Sequence, residues 1–485
     1  MCYFIIMKVL VVAFDGLQPS QINEDLMPNL YGYLKEGVTF TNHHAVYPSV
    51  TRINSTSMFT GRYPGSHGIA ANSVVMRDFD SNLVFSVMEP MLENVREKLG
   101  EVLFVENLGD ILSNFEEKFV AVGAGTTGNS FLQNPNAHRN GGAVVNPEFT
   151  LPNSLEKTLK PIVGDWPSEG IPNEERLKHC VDIMTQYFIP EINPKVGLIW
   201  FSEPDKSHHA DGVGYELGTQ AIRYSDKCFG DLISKTRKMK NSKDTNVIVI
   251  SDHGYSSIKD VIDVRKELIK IGFLENEQDN KILIAANGGS VLFYVKNSDS
   301  KLATKLVRAL MQFEWCGPMF YSSKTGKIEG LLPAKLIGIE GPRCPDITMS
   351  FQWSSEKNSA GYMGMIYSSG GDTNLGTHGS ISKHEMNNVF GAFGPDFKKG
   401  LVCPTPTGNI DLTPTIIHLL GLNTDTPFDG RVIHEAFLGG VDHEEIKVYI
   451  KESKSEYIDK KYSYKQKLVI SSIEKTQYVD YAKRY

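Results

Sequence analysis

KVLVVAFDG, residues 8–16, reads as a short strand that ends on a carboxylate and a glycine turn. After Lys8 the run is apolar throughout, so both of its faces are expected to be buried, as in a sheet covered on each side. Three further runs have the same form: VGLIWF (196–201) before Ser202, NVIVI (246–250) before Ser251 and Asp252, and NNVFGAF (387–393) before Gly394 and Pro395. Helical patterns lie between them. Two examples are MPNLYGYLKEG (27–37) and TPTIIHLLGL (413–422), the latter with Thr413 as the expected cap and Pro414 in the first turn. Strand–helix alternation predicts an α/β fold, a mostly parallel sheet sandwiched by helices, which takes its ligands beyond the carboxyl ends of the strands.

Working outward, residues 7–257 and 346–440 are expected to form the two parts of this core. Between them, 258–345 carries its own signals (VRKELIKIGF, SVLFYV, KLATKLVRALMQF) and is read as an inserted α+β cap. Residues 131–180, rich in Asn, Pro and Gly, are expected as long loops. Residues 441–485 are read as a charged Tyr/Lys-rich tail. From Ile446 onward it holds ten Lys/Arg, five Asp/Glu and seven Tyr, and such mixed charges favour a solvated or partner-packing tail over a nucleic-acid or membrane role.

The bulk properties set limits. At 485 residues, with 41% hydrophobic and 22% charged, the chain has the balance of a folded globular protein. A net charge of −7, from 50 Lys+Arg against 57 Asp+Glu, gives no electrostatic case for nucleic acid. The six cysteines (Cys2, Cys180, Cys228, Cys316, Cys344, Cys403) form no CxxC pair and are expected as reduced thiols. The apolar start, CYFIIMKVLVVAF, is interrupted by Lys8, lacks a small-residue cleavage site and is too short to span a bilayer. Met7 is a candidate start, and a cytoplasmic protein without membrane contact is expected.

The polar clusters at the strand ends carry the chemistry. Taken singly, Asp15, DKSHH (205–209), SDHG (251–254) and GTHGS (376–380) each read as a cap, turn or surface loop. Together they bring three Asp and three His towards one sheet edge, the oxygen and nitrogen ligands that Zn²⁺ or Mn²⁺ accepts. One ion takes about three or four protein ligands, so this set plus a hydroxyl suits two ions about 4 Å apart. The hydroxyl is Thr51, in YPSVTRINSTSMFTGRYPGSHGIAAN (47–72), where a helix is expected to begin. A hydroxyl there meets free N–H groups and the positive helix end, a phosphate cradle, although a simple Thr N-cap fits the same position. Metal coordination lowers the pKa of water from about 16 to about 7, and a similar effect would activate Thr51 without a dedicated general base.

These residues resemble the type I phosphodiesterases and nucleotide pyrophosphatases of the alkaline phosphatase superfamily. The match runs through VVAFDG, PSVTRINSTSMFTGRYPGSHGIAAN, FSEPDKSHHADG, VISDHGY, THGS and GNIDLTPTIIHLLGL in order. The resemblance implies an alkaline-phosphatase-like sheet and a two-metal site, with Zn²⁺ as the first expectation and Mn²⁺ as the second. In it Asp205, His209 and His378 would hold one ion, and Asp15, Thr51, Asp252 and His253 the other. It implies Thr51 as nucleophile, through a phospho-threonine intermediate, and Asn72 as the residue that hydrogen-bonds a phosphoryl oxygen.

The chain also departs from the family. Nucleotide-cleaving members carry an aromatic residue directly after the nucleophile, and here it is Arg52. A cation in a first helical turn costs about 0.3–1 kcal/mol, which a nearby substrate anion would offset. His208 stands where glycine is usual, and Ser380 follows His378-Gly379. The expected ligand is therefore a small phosphorus ester, with Arg52 as a substrate contact. A phosphonate hydrolase resembling phosphonoacetate hydrolase is the alternative, and a non-catalytic interaction protein on the same scaffold is a third reading. Thr at position 51 argues against a sulfatase, which needs Cys or Ser there. A homodimer is a further expectation.

Overall fold

The protein is described by a computed structural model that covers residues 7–239 and 242–485. Cys2 and most of the apolar start lie outside the described residues. The core is a ten-stranded sheet. Nine strands cross it in the order Leu401–Cys403, Val38–His44, Asn387–Phe393, Asn246–Ser251, Val9–Phe14, Val196–Phe201, Phe119–Gly123, Ala143–Asn146 and Phe149–Leu151. Thr407–Gly408 adds a short tenth beside Val38–His44.

The centre is parallel: Val9 aligns with Val196 on one side and with Asn246 on the other. Along this central strand Val9, Val11 and Ala13 join one apolar layer, and Leu10, Val12 and Phe14 join the layer on the opposite face. The unbroken apolar run thus feeds two cores with a period of two, each fully buried side chain contributing about 1.5–3 kcal/mol over exposure.

The four expected strands form, but one runs the other way. Asn387–Phe393 is antiparallel to both neighbours. Its start, not the Gly394-Pro395 end, therefore lies at the carboxyl edge of the parallel strands. That reversal delivers the preceding segment, with His378, to the same edge as Asp15 and Asp252.

Other expectations are corrected. Residues 131–180 are not mainly loop: they hold the strands Ala143–Asn146 and Phe149–Leu151 and the helices Leu155–Val163 and Glu174–Ile183. The Asn/Pro/Gly content marks the joints between short elements there, and Pro161 even sits inside a helix. The late helix starts at Leu412 after Asp411, so Thr413 is inside it rather than its cap. Its hydroxyl instead donates to the Met58 carbonyl (2.7 Å), tying this helix to the nucleophile helix.

The cap is a five-stranded sheet ordered Ile282–Asn287, Ser290–Val295, Ile347–Phe351, Cys316–Tyr321 and Leu332–Pro333. Its middle strand lies past residue 345, so the module runs beyond the boundary set from sequence. The expected tail is a three-stranded antiparallel meander, Tyr449–Ile458, Ser463–Ile473 and Thr476–Arg484. Alternate residues Tyr464, Gln466, Leu468 and Ile470 turn inward and are buried. Gln466 Oε1 accepts from the Met319 N–H of the cap, and Tyr478 OH donates to Asp411 of the core. Most of the charges that suggested a tail occupy the outer face, while Arg484 turns in to the carbonyls of Phe313 and Cys316 and Asp480 to His44. Among the described residues, no helix is long and apolar enough to cross a membrane.

Candidate active site

Each site residue stands at the end of a core element. Asp15 follows Val9–Phe14 and Asp252 follows Asn246–Ser251. Asp205 opens the Asp205–Asp211 helix, which carries His209 one turn later. Gly16 makes the first turn possible. It has φ of +70°, and a Cβ there would meet the Tyr255 ring at 2.7 Å, so only glycine lets its N–H donate to Asp252 Oδ1 (3.0 Å).

Thr51 is the first residue of the nucleophile helix, Thr51–Thr60, all of it buried. The N-cap position is Val50, with no side-chain cap, which removes the simple Thr-cap reading. The free N–H groups expected at this helix start are fewer than four. Asn72 Oδ1 accepts from the Arg52 N–H (3.0 Å), and the Pro48 carbonyl accepts from that of Val50 (2.8 Å). Gly61, at φ +65°, ends the helix in the left-handed form, which accounts for the start of the glycine-rich exit.

Two buried groups emerge, Asp15 with Asp252 and His253, and Asp205 with His253 and His378, each offering ligand atoms within 4.8 Å of one another. Thr51 Oγ1 joins the first group, 3.3 Å from His253 Nε2 and 3.5 Å from Asp15 Oδ1. In the second, His378 Nε2 stands 3.4 Å from Asp205 Oδ1. His209, its side chain 45% exposed, lies at the rim with Nε2 3.5 Å from the same oxygen. The structure thus brings all seven expected ligands together, with His253 shared between the two groups and His209 more peripheral.

The imidazoles are oriented by their backbones. Nδ1 of His253, His378 and His209 meets the carbonyl oxygens of Gly254 (3.0 Å), Ser49 (2.8 Å) and Gly376 (3.0 Å). A carbonyl only accepts, so each Nδ1 carries a proton and each Nε2 faces the site, the arrangement of metal-ligating histidines. Burial opposes protonation of His253, but Asp252 and Asp205 outweigh it and raise its pKa. Trp200 Nε1–H fixes Asp15 Oδ2 (3.0 Å), and Tyr255 OH donates to Asp205 Oδ1 (2.7 Å). Asp252 Oδ2 is buried, 3.1 Å from His253 Nε2, yet accepts no directed hydrogen bond.

The electrostatics ask for cations. Burial, and then the charges of Asp252 and Asp205, push the Asp15 carboxyl well above its usual range. Burial would also raise Asp205, but His209, His378 and His253 overcome it and hold its pKa at about 2. Burial and the adjacent His253 ring, stacked at 3.7 Å, keep His378 neutral. Buried, mutually repelling carboxylates and converging imidazole Nε2 atoms fit divalent ions, which would relieve both.

Three supporting residues carried no sequence signal that set them apart. Glu385 is fully buried and accepts from Ser49 Oγ (3.0 Å), Ser256 Oγ (2.7 Å), Ser380 Oγ (2.6 Å) and Ser380 N–H (2.6 Å). It joins the loop before Thr51 to the loop after His378. Asn409 Nδ2 donates to the Asp252 carbonyl (2.7 Å) and to Asn54 Oδ1 (2.8 Å). Asn287, at a cap hairpin tip, exchanges hydrogen bonds with the backbone of Ser73 (2.7 and 3.0 Å).

Beside the ligands is a cleft of about 290 Å³, lined by Arg52, Asn72, Ser86, His209, Asn287 and His378 among others. Arg52 is only 9% exposed, and its Nη1 donates to the Asn72 carbonyl (3.2 Å) and Ser86 Oγ (3.4 Å). Burial lowers its pKa to about 10, with Asp15 and Asp205 opposing, so it stays cationic at neutral pH.

An alkaline-phosphatase-like α/β fold with carboxylates, imidazoles and a helix-terminal hydroxyl at one sheet edge is that of a phosphoric-ester hydrolase. Residues 9–380 match the family described as Type I phosphodiesterase / nucleotide pyrophosphatase, and the chain belongs to it. It is similar to the bis(5'-adenosyl)-triphosphatase ENPP4 of Pongo abelii, 26% identical over 86% of this chain and 78% of that one. It is also similar to human ectonucleotide pyrophosphatase/phosphodiesterase family member 5, 22% identical over 87% and 76%. Among solved structures, an inactive variant of murine ectonucleotide pyrophosphatase/phosphodiesterase 5 in complex with AMP shares the fold. Its TM-score is 0.61, at 20% identity, over 87% of this chain and 97% of that one.

Proposed function

We propose that this protein hydrolyses phosphodiesters or pyrophosphates through a phospho-threonine intermediate. One observation carries the reading: the Thr51 hydroxyl opens a buried helix within 3.5 Å of His253 Nε2 and Asp15 Oδ1, in a cluster whose imidazoles all turn Nε2 inward. Asp15, Thr51, Asp252 and His253 would hold one divalent ion and Asp205, His209 and His378 the other. Zn²⁺ or Mn²⁺ bound there would lower the pKa of the threonine hydroxyl and neutralise phosphoryl charge.

The residues of the chain supply the rest. Thr51 Oγ attacks phosphorus, a threonine–oxygen–phosphorus bond forms, and the alcohol or phosphate departs with the bonding electrons and takes up a proton. Water then breaks the new ester at phosphorus and restores the hydroxyl. Asn72 is oriented for its role, because Oδ1 is committed to the Arg52 N–H and Nδ2 remains to donate to a phosphoryl oxygen. Triphosphatase activity in the name of ENPP4, and AMP in the murine complex, support a phosphorus–oxygen bond as the target.

The test is a screen of metal-loaded protein on bis-p-nitrophenyl phosphate, p-nitrophenyl phosphate, a nucleotide p-nitrophenyl ester and phosphonoacetate. Turnover of the diester or the nucleotide ester is expected. Turnover of phosphonoacetate alone would favour a phosphonate hydrolase, a reading that the buried cation in the cleft keeps open. No turnover on any of the four by a zinc- or manganese-loaded sample would remove the enzymatic reading. The cytoplasmic location is supported by the five cysteines among the described residues, all buried and unpaired, and fractionation that finds the protein in the secretory pathway would overturn it.

A further inference from the structure

Arg52 is nine-tenths buried, and no carboxylate lies within ion-pair distance of it among the described residues. Other well-buried arginines here are matched: Arg343 pairs with Asp78 at 2.7 Å and Arg431 with Glu435. A buried cation ordinarily needs a partner, because desolvation costs several kcal/mol per ion. Arg52 also sits in the first turn of a helix, where the dipole disfavours it. Its neighbours offer only neutral oxygens, the Asn72 carbonyl and Ser86 Oγ, both taken by Nη1. Its stem packs closely on Gly128, where a Cβ would meet Arg52 Cδ at 3.1 Å.

The surrounding cleft says what could complete it. Arg52 shares the cleft with Asn72 and His378, so an anion beside it lies next to the reacting phosphorus. The lining includes Ser73, Ser86, Asn287 and Thr377, and its rings among the described residues are the imidazoles of His209 and His378, so a nucleobase would find no Phe, Tyr or Trp to stack on there. The cap hairpin bearing Asn287, held against Ser73, closes one side.

We infer that Arg52 is a specificity residue that receives a second anionic group of the substrate, a carboxylate or phosphate carried on the reacting phosphorus. The inference rests on the hydrolase reading and narrows it to small substrates with two anionic groups, such as pyrophosphates or phosphonocarboxylates. The guanidinium fork matches either group through paired hydrogen bonds.

The test is calorimetric binding to metal-loaded protein of three probes: methylphosphonate, with one anionic group, and phosphonoacetate and inorganic pyrophosphate, with two. Wild type should bind at least one two-group probe tenfold or more tightly than methylphosphonate, and which one identifies carboxylate or phosphate. Arg52→Met should cut that binding about 10–100-fold while leaving methylphosphonate within threefold, and Arg52→Lys should retain part of the preference. Equal loss on methylphosphonate would assign Arg52 to the phosphoryl group itself or to the fold, and would overturn the inference. So would a wild type without the preference, a measurement that needs no variant. Hydrolysis of bis-p-nitrophenyl phosphate by wild type, which has no second anion, reports on the hydrolase reading separately.

Discussion

At the scale of single residues the chemistry turns on Thr51, since every other group around it is a ligand or an orienting partner. Thr51→Ala should lower turnover by several orders of magnitude, because no other hydroxyl replaces it at that point. Metal content should stay near wild type, the six remaining ligands being intact. Thr51→Ser, which keeps the hydroxyl, should retain measurable activity. If Thr51→Ala stayed within tenfold of wild type, direct attack by water would be the better mechanism. Asn72 makes a second point at this scale. Its Oδ1 satisfies the Arg52 N–H, so Asn72→Ala removes both a helix-start acceptor and a donor to the phosphoryl oxygen. A loss of about 10²–10³ in kcat is expected, the range for removing one such donor.

At the scale of elements, the site depends on loops held by Glu385. Replacing it by Ala strands the hydroxyls of Ser256 and Ser380 and the Ser380 N–H, at about 1–3 kcal/mol for each unsatisfied group that cannot reach water, while Ser49 Oγ keeps its bond to the Ser380 carbonyl (2.7 Å). Glu385→Ala should therefore lower the unfolding free energy by at least about 2 kcal/mol, read from the urea midpoint, and weaken metal retention. A midpoint unchanged within error would mean that the two loops hold themselves. This hub was not legible in the sequence, because a Glu in SKHEM looks like a surface residue until its serine partners, up to 336 positions away, are folded around it. The ligands were legible, since strand ends and their carboxylates are adjacent in sequence. His378 was read as part of these edge clusters, but the route that brings it there was not legible: it precedes an antiparallel strand, and no local pattern announces that direction. The meander was missed for a related reason. Its inward residues alternate with Lys and Glu, and a charge count averages the two faces that the pleat separates.

For the whole molecule, protonation of buried histidines sets the acid limit. Burial holds His43 and His67 at about 3, against 6.5 when unfolded. His67 Nδ1 accepts from the Ile69 N–H (3.2 Å), so Nε2 donates to Ser57 Oγ (3.0 Å), and a second proton would break that pairing. The unfolded chain binds the extra protons first. The stability that these two residues supply is therefore complete above pH 6.5 and is lost as pH falls towards 3. The slope is up to about 1.4 kcal/mol per pH unit for each. The raised carboxyls of Glu203 (about 7) and Asp411 (about 6) act in the opposite sense, so the histidine contribution is read as a difference. In urea titrations from pH 7 to pH 4, His67→Gln should lose less stability than wild type, and identical slopes would contradict the burial of that ring. Chelation should act on the same observable. Stripping the ions should abolish activity and lower Tm, with Zn²⁺ or Mn²⁺ restoring both. Less than one equivalent of metal in fully active protein would exclude the two-ion site.

The meander adds a matter of timing. Its strands touch the core at Asp411 and His44 and the cap at Met319 and Gly317, yet they are made on the ribosome after all of these. Core and cap can each collapse while synthesis continues, but the clasp between them arrives last. The cap hairpin beside Arg52 is tied to the core earlier, through Asn287 on Ser73 and Arg343 on Asp78, so a nascent chain stalled before residue 449 would carry every ligand of the site under a roof fastened on one side and still without its clasp.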